Sequence, residues 1–573
     1  MRILLFLTFF TLFAVETAFP QENYPKNDFR SPVDTTISLA GNFGEIRPNH
    51  FHAGFDIRTG NHEGMPVYAI ADGYVSRIKI SPYGYGKALY ITHPNGYTSV
   101  YGHLSKLNGD IGVFLKKTQY LKETFEIDTL LSPGLLPVKK GDLIALSGNT
   151  GSSQGPHLHF EIRNAKTEMP VNPYLFGFRV ADTVKPRITQ LAIYPLDPNA
   201  TVNGKHADKK IAPVYNKGKY AFLKADTVSV YGNIGFGIEC YDTENKSPSR
   251  NAVYSIELQS GGKRIFYYEM DKFSFENSRY VNAHVDYPSM QKHGTKIQKC
   301  FLSKNNQIGI YRDVIHNGVL DLSDDSVHWI RYILKDFAGN STELMLKVQS
   351  HNPHLMQIVE NRDTWDCEKD NEFKSPEAMI SVPANALYDD VSFYSYPRIA
   401  SVKGTYSPLQ QVLKNDVPLQ KKYTLSLKPV RLPDSLQSKA CIISIDDKGR
   451  RSYEGGAYAD GWVTTKTDEF GTFAVGIDTV APKLKPAFGY DAKKTTDLSK
   501  AKRIGIIAKD DLSGIRKYRA IIDGKWVLCE YEFKQALLFY TFDESITKGN
   551  HTFTIEVSDD KENKSVFTFI FRR

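Results

Sequence analysis

The chain has 573 residues, of which 41% are hydrophobic and 12% aromatic, a composition typical of folded proteins and not of disordered chains. Its 72 basic and 64 acidic residues give a formal net charge of +8 without forming a basic block, which argues against a nucleic-acid-binding surface. A chain of this length is too long for one hydrophobic core, so several domains are expected.

The N-terminus has the layout of a signal peptide. Arg2 precedes an apolar run from Ile3 to Val15, and the small residue Ala18 follows. The run is shorter than the roughly 20 apolar residues that a membrane-spanning helix needs. We therefore predict that residues 1–18 are a signal peptide and that the mature chain keeps no stable membrane span. It would be exported to the periplasm, the cell envelope or the extracellular space.

Residues 30–180 are dense in glycine and in short runs of apolar, β-branched and aromatic residues, for example 66–70, 88–92 and 157–162. Turn-forming pairs such as Asp-Gly and Asn-Gly separate the runs at hairpin-like spacing. This pattern predicts a domain of mostly antiparallel sheet. The stretch 106–137 interrupts the pattern and is predicted to be an insertion that leaves the sheet.

Three short motifs in this domain carry candidate ligands and catalytic groups, and their residues are His52 and Asp56, then His103, then His157 and His159. Side chains alternate across a strand, so residues two or four positions apart point to the same face. The first and the third motif each meet this condition. His52, Asp56 and one of the paired histidines could therefore hold one ion and leave a fourth position for water, as catalytic zinc sites do.

A hydrolytic zinc site also needs one group that takes a proton from the zinc-activated water and one that stabilises the charged intermediate. The two remaining histidines can serve, because a neutral imidazole is competent near neutral pH. The chain has no His-Glu-x-x-His helix that would supply ligands and base together. We interpret His50, His62 and His93 as histidines without a ligand role. Glu161 could orient a ligand from behind, but as an alternating polar residue on a strand we interpret it as exposed.

The three motifs resemble those of the LytM/lysostaphin-type zinc metallopeptidases, which are peptidoglycan endopeptidases. The family pattern is His-x-x-x-Asp, a lone His in a Tyr-x-His-Leu context, and His-x-His, and all three occur here in that order. The resemblance implies the zinc ligands His52, Asp56 and His159. It also implies that His103 and His157 are the catalytic pair, and it leaves open which of them is the general base.

The rest of the chain carries an internal repeat, because residues 182–186, Asp-Thr-Val-Lys-Pro, return as Asp-Thr-Val-Ala-Pro at 478–482. Similar strands that end in aspartate follow each copy. We predict that residues 181–350 and 476–573 form related, immunoglobulin-like β-sandwich domains. Residues 351–475 are predicted to form a β-rich domain of uncertain type. The predicted fold class is therefore all-β, with an antiparallel peptidase domain followed by β-sandwiches.

Aspartates recur at the predicted turns of these downstream domains, at Asp242, Asp336, Asp510 and Asp560. Aspartate caps turns readily, whereas calcium prefers six or more oxygen ligands, which the neighbouring residues do not supply. We therefore expect turn capping and assign no metal there.

These observations favour an exported endopeptidase that holds one Zn²⁺ ion and hydrolyses peptide stems or cross-links of peptidoglycan. Peptidoglycan is the expected partner, and a cell-envelope protein could bind through the β-sandwich domains. One alternative is a non-catalytic scaffold with a peptidase fold that activates another cell-wall enzyme. A second alternative is a zinc peptidase that acts on proteins outside the wall.

Overall fold

The structure is a computed structural model that describes residues 23–222, 227–245, 247–353, 363–398, 402–488 and 494–573. The predicted signal peptide lies outside the described residues. The described chain is built almost entirely of antiparallel sheets, which confirms the all-β class. Among the described residues, no helix combines the length and apolar character needed to cross a membrane.

The N-terminal region consists of fourteen strands and one helix, with these bounds: β1 Leu39–Gly41, β2 Ile46–Arg47, β3 His50–Phe51, β4 Phe55–Arg58, β5 Pro66–Tyr68, β6 Gly73–Ile80, β7 Lys87–Thr92, β8 Tyr97–Gly102, β9 Lys106–Leu107, α1 Gly109–Lys122, β10 Ile127–Leu130, β11 Pro137–Val138, β12 Leu143–Leu146, β13 His157–Asn164 and β14 Pro170–Val171. The main sheet has the order β1-β4-β13-β8-β7-β6-β10. A smaller sheet has the order β5-β12-β9.

Strand β13 lies in the interior of the main sheet, between β4 and β8. Its apolar residues alternate in sequence and share one face, where Leu158, Phe160 and Ile162 are fully buried in the core. The opposite face carries the alternate residues, which are polar, and most of them are buried as well. Buried polar side chains need partners, so this face of β13 marks the place to look for a site.

Only part of the predicted insertion leaves the main sheet. Helix α1 projects from it and buries Ile111, Leu115 and Gln119, which are spaced by four residues and so lie on one face. The chain then returns, because β10 and β11 both pair with β6. The stretch 106–137 is therefore a helical excursion followed by edge strands of the same sheet.

The first module, residues 181–350, has these bounds: β15 Arg187–Pro195, β16 Thr201–Val202, β17 Lys209–Ile211, β18 Val214–Asn216, β19 Lys219–Ala221, β20 Val228–Tyr231, β21 Asn233–Tyr241, β22 Ser255–Ser260, β23 Lys263–Glu269, α2 Val281–His284, α3 Tyr287–His293, β24 Gln298–Lys299, β25 Tyr311–Val314, β26 Leu320–Asp321, β27 Val327–Lys335 and β28 Ser341–Ser350. Its hydrophobic core is continuous with that of the N-terminal region. The ring of Phe273 contacts Phe43 and Phe51, with centroid distances of 5.1 and 5.6 Å.

The middle module, residues 363–477, forms two five-stranded sheets and a short strand pair, with these bounds: β29 Thr364–Trp365, β30 Asn371–Lys374, β31 Ala378–Val382, β32 Val391–Ser392, β33 Ser395–Arg398, β34 Leu409–Val412, β35 Tyr423–Leu427, β36 Ala440–Ile445, β37 Arg451–Tyr453, β38 Ala457–Ala459, β39 Trp462–Thr467 and β40 Gly471–Ile477. It has its own hydrophobic core, apart from that of the first module.

The last module, residues 478–573, has these bounds: β41 Lys483–Pro486, β42 Thr496–Asp497, β43 Arg503–Lys509, β44 Ile515–Ile522, β45 Lys525–Trp526, β46 Cys529–Glu532, β47 Leu537–Thr541, β48 Asn550–Asp559 and β49 Lys564–Arg572. An early strand pairs in parallel with the final strand both here, β42 with β49, and in the first module, β20 with β28. The two modules that share the sequence repeat thus share this unusual pairing. Their immunoglobulin-like character remains a prediction.

Candidate metal centre

Two adjacent antiparallel strands bring the predicted ligands together. Asp56 on β4 lies directly opposite His159 on β13, and His52 reaches the same point from the turn before β4. His52 Nε2 lies 3.0 Å from Asp56 Oδ1 and 3.0 Å from His159 Nδ1. The third side of the triangle, from His159 Nδ1 to Asp56 Oδ1, is 2.9 Å. All three residues are at most 5% exposed.

This triangle fits the donor set of a zinc site. Two imidazole nitrogens and one carboxylate oxygen are the common protein ligands of catalytic zinc, and bonds of about 2.0–2.1 Å would place tetrahedral ligand atoms about 3.3 Å apart. The observed separations are slightly shorter than this. A further polar atom points to the same place, because the buried Nε2 of His157 has no hydrogen-bond partner among the described residues and lies 3.2 Å from Asp56 Oδ1. The residues present therefore fit a zinc ion.

Each histidine of the triangle is oriented through its second ring nitrogen. His52 Nδ1 is 2.7 Å from the main-chain oxygen of Asn42, and His159 Nε2 is 2.7 Å from Glu161 Oε1. An oxygen acceptor at one nitrogen fixes the proton there and leaves the lone pair of the other nitrogen for a metal. Burial lowers the pKa of His159, but Asp56 and Glu161 together raise it to about 9, so metal binding at this nitrogen displaces a proton.

Glu161 contacts His159 from behind the triangle, a position that the sequence analysis considered and set aside. The interpretation of Glu161 as an exposed residue was wrong, since its exposure is 0%. Burial raises the pKa of its carboxyl group, but Arg163 and His159 outweigh this and lower the pKa to about 2, so the group is ionised. Arg163 Nε donates to Glu161 Oε2 at 2.7 Å, and the Tyr85 hydroxyl donates to the other oxygen. The available signal was the two-residue spacing from His159, which places both on one face.

Arg47 holds the carboxylate oxygen of Asp56 that faces away from the triangle. Its Nη2 donates to Asp56 Oδ2 at 2.5 Å and lies 3.2 Å from Glu45 Oε2. Burial raises the pKa of Asp56, but the surrounding histidines hold it well below the usual value. Asp56 is therefore a carboxylate at neutral pH, with one oxygen fixed by Arg47 and the other directed at the histidines.

The predicted catalytic pair lies beside this triangle. The rings of His103 and His157 are 4.7 Å apart, and the ring of His103 is 5.7 Å from that of His159. His103 Nδ1 is 2.8 Å from the main-chain oxygen of Thr150, and His157 Nδ1 is 2.8 Å from that of Gly155. Both rings therefore keep an unprotonated Nε2 when neutral.

The backbone and the surroundings of His103 are both unusual. It has a left-handed backbone with φ of 58°, uncommon for a residue other than glycine, and it follows directly on β8. Burial and the neighbouring His159 and His157 lower its pKa to about 3. His103 is therefore neutral at physiological pH.

The other histidines nearby are placed differently. His93 is buried, and its two nitrogens contact the Asp72 main-chain oxygen at 2.9 Å and the Ser99 hydroxyl at 2.8 Å. His50 and His62 are exposed, and each contacts a nearby main-chain oxygen. The structure thus gathers the five residues that the motifs singled out and leaves these three outside the group.

Comparison with known proteins agrees with this geometry. The sequence pattern of peptidase family M23 matches residues 50–127 and 130–173, and that of a Zu5-like domain matches residues 362–478. An uncharacterized metalloprotease of Haemophilus influenzae is 37% identical over 135 residues, 23% of this chain and 22% of the relative. The peptidoglycan DD-endopeptidase ShyA of Vibrio cholerae is 34% identical over 139 residues, 23% of this chain and 26% of the relative.

The matched segments span about a quarter or less of the length of these curated relatives. Among solved structures, the catalytic domain of lysostaphin from Staphylococcus simulans is similar, with 27% sequence identity and a TM-score of 0.18. The match covers 23% of this chain and 88% of that chain. All five site residues lie inside the segments that match the family pattern. The N-terminal part of the chain, residues 50–173, is therefore a peptidase family M23 domain of the LytM type.

Proposed function

We propose that this protein is an exported, zinc-dependent endopeptidase that hydrolyses peptide stems or cross-links of peptidoglycan. The observation that carries the proposal is the buried triangle of His52, Asp56 and His159 inside the segment that matches the peptidase family. The relatives named as peptidoglycan DD-endopeptidases support the choice of substrate. Action on peptidoglycan in turn supports a place in the periplasm or cell envelope.

His52, Asp56 and His159 would hold the zinc ion. When bound, zinc acts as a Lewis acid and brings the pKa of a water molecule to about 7. Arg47 and Glu161 would keep the ligand side chains in place from behind. Arg47 donates a hydrogen bond to Asp56 Oδ2, and Glu161 accepts one from His159 Nε2.

His103 and His157 would handle protons and charge at the scissile peptide bond. Both present an unprotonated Nε2 next to the triangle, so either is placed to receive a proton there. The protonated ring can then stabilise the negative charge of the tetrahedral intermediate or give its proton to the leaving amine. We propose that the two histidines divide these roles.

The test is digestion of purified peptidoglycan by the protein, with product analysis by liquid chromatography and mass spectrometry. We expect new muropeptides from the wild type and none from His159→Ala or after removal of metal with a chelator. His62→Ala is the matched control, since His62 is exposed and belongs to the same domain, and it should retain full activity. Intact muropeptides with the zinc-loaded wild type would refute the enzymatic proposal and favour a scaffold.

A further inference from the structure

The two repeated modules each gather three aspartates at the same place. In the first module these are Asp182, Asp242 and Asp336, and carboxylate oxygens from all three lie within 4.8 Å of one another. In the last module the equivalent residues are Asp478, Asp510 and Asp559, with the same proximity. The repeat that the sequence shows thus extends to a cluster of acidic side chains.

The expected turn capping is present in both clusters. Asp336 Oδ1 accepts from the main-chain nitrogen of Asn340, and its Oδ2 accepts from the Asn340 amide group, both at 2.8 Å. Asp559 makes the same pair of contacts with Asn563. The capping aspartate of the last module is therefore Asp559, and the prediction of Asp560 as the turn-capping residue was wrong by one position.

Turn capping does not account for the polar atoms left over in the first module. Asp242 is 4% exposed, and its Oδ1 has no hydrogen-bond partner among the described residues. Asn251 is 2% exposed, and within the same described set neither its amide oxygen nor its amide nitrogen has a partner. Buried polar atoms without partners are costly, so a ligand for them is expected.

The backbone directs the Asn251 side chain towards the cluster. Asn251 and Asp242 form an antiparallel bridge, and each donates its main-chain N–H to the other at 2.8 Å. Residues directly opposite in such a pair have side chains on the same face, about 5 Å apart. The unpartnered amide of Asn251 is therefore on the same face as the unpartnered oxygen of Asp242.

The charges in the cluster also favour a cation. Burial, together with the negative charges of Asp182 and Asp336, raises the pKa of Asp242 to about 8. Three carboxylates that close to one another repel, and a bound divalent cation would remove the repulsion. The ligand atoms on offer are all oxygens, which suits a hard cation such as Ca²⁺ and not zinc.

We propose that the three carboxylates of the first module and the Asn251 amide oxygen bind one calcium ion. Calcium takes six to eight oxygen ligands, and main-chain oxygens or water would complete the shell. The proposal revises the expectation that these aspartates only cap turns, because the geometry now supplies a fourth side chain that the sequence spacing did not reveal.

The position of the cluster suggests what the ion would do. Asp182 belongs to the segment that leaves the peptidase domain and enters β15. Asp182 and Asp242 line a cleft of about 390 Å³ between the peptidase domain and the first module. Tyr174 and Phe337 line the same cleft and stack across the junction, with ring centroids 4.8 Å apart. A calcium ion here would brace the junction between the two parts.

The last module offers a matched control because a lysine follows its capping aspartate in the sequence. Lys561 follows Asp559 by two residues, and its Nζ is bound to the main-chain oxygen of Gly456 at 2.6 Å. Burial lowers the pKa of this lysine, and the nearby charges of Asp560, Asp478 and Asp559 offset part of that shift. The first module has Ala338 at the corresponding position. Its cluster therefore has no such lysine and is the better cation site.

The test is isothermal titration calorimetry of calcium chloride into the full chain after dialysis into calcium-free buffer. We compare the wild type with Asp242→Asn and, as the matched control, Asp510→Asn. Asp242→Asn should bind one calcium ion fewer than the wild type or bind it at least about tenfold more weakly. Asp510→Asn should keep the ion of the first module. Magnesium at the same concentration should bind more weakly, because it demands a stricter octahedral geometry.

Two results would overturn the proposal. One is no calcium binding by the wild type up to about 10 mM, above the range of extracellular calcium modules. The other is calcium binding by Asp242→Asn with the stoichiometry and affinity of the wild type. Thermal melting without calcium checks that each variant is folded. If Asp242→Asn is not folded, the neutral change Asn251→Ala replaces it, and unchanged affinity in that variant would equally refute the site.

Discussion

The ammonium group of Lys534 in the last module donates a hydrogen bond to the main-chain oxygen of Ser153 in the peptidase domain, at 3.1 Å. It also donates to the main-chain oxygen of Asn149. Ser153 Oγ in turn lies 3.2 Å from His157 Nδ1. The last module, far away in sequence, therefore holds the loop that positions a proposed catalytic residue.

Further contacts fix the last module on the peptidase domain. Lys87 and Glu530 form an ion pair of 2.7 Å, in which both side chains are mostly buried. Trp526 packs edge-on against Tyr120 of the excursion helix α1, with ring centroids 5.1 Å apart. The excursion formed by residues 106–137 thus provides part of the surface on which the last module packs.

We predict that Lys534→Ala lowers the rate of muropeptide release. A hydrogen bond to a charged group contributes about 1.5–3 kcal/mol, and its loss would let the Asn149–Ser153 loop move and displace His157. We expect kcat/KM to fall by about tenfold, equivalent to about 1.4 kcal/mol. Lys548→Ala, an exposed lysine of the same module, should leave the rate unchanged. A rise in activity would instead identify the contact as inhibitory.

Glu161 should control zinc affinity through His159. Glu161→Gln keeps the shape of the side chain but removes the negative charge that orients His159 Nε2. Loss of such an outer partner typically weakens metal binding by about 10–100-fold. Competition with a chromogenic chelator measures the change in zinc Kd. Glu168→Gln is the control, because Glu168 is exposed and contacts the same Arg163 at 3.4 Å. Equal zinc affinity of Glu161→Gln and wild type would exclude this role.

The grouping of the motif residues could be predicted from the sequence because strand geometry is local. Alternation alone puts His157 and His159 on one face, and the antiparallel pairing of β4 with β13 then brings Asp56 opposite His159. The buried network behind the ligands could not be predicted in the same way. Arg47 and Glu161 owe their roles to burial, which depends on how strands from distant parts of the chain stack.

The downstream part of the chain shows the same limit. The repeated Asp-Thr-Val-x-Pro segments predicted two related modules, which the shared parallel pairing of an earlier strand with the final strand supports. Periodicity could not show that Asn251 faces Asp242, because that depends on a single bridge between two loops. It also could not show that the last module docks on the peptidase domain, since Lys534 and Ser153 are separated by most of the chain.

Gly54 should be essential for the pairing of the two ligand strands. A Cβ added there would lie 2.2 Å from the main-chain oxygen of Phe160, so alanine would force β4 and β13 apart. We expect Gly54→Ala to destabilise the domain by about 1–3 kcal/mol and to weaken zinc binding as well. Thermal melting and zinc titration measure both effects. Gly155→Ala is the control, because no described atom lies within 4 Å of its added Cβ, and it should melt like the wild type.

His284 should make the first module less stable at acidic pH. It is 0% exposed, with Nε2 3.0 Å from Gln298 Oε1 and Nδ1 3.1 Å from the Tyr311 hydroxyl. Burial, assisted by the charge of Lys299, lowers its pKa from 6.5 to about 4. Between pH 6.5 and pH 4, His284 therefore binds a proton in the unfolded chain but not in the folded chain. The contribution of the neutral His284 to the free energy of unfolding is complete above pH 6.5 and declines as the pH falls towards 4.

Between pH 7 and pH 5, proton binding by His284 in the unfolded chain should lower the free energy of unfolding by about 2 kcal/mol. Urea unfolding at the two pH values measures the total change, to which other groups also contribute. The comparison is therefore with His284→Asn, which is less stable at both pH values but should lose about 2 kcal/mol less than the wild type on acidification. His62→Asn, at an exposed position, should retain the wild-type pH dependence. If His284→Asn lost as much stability as the wild type, the buried neutral histidine would not be the cause.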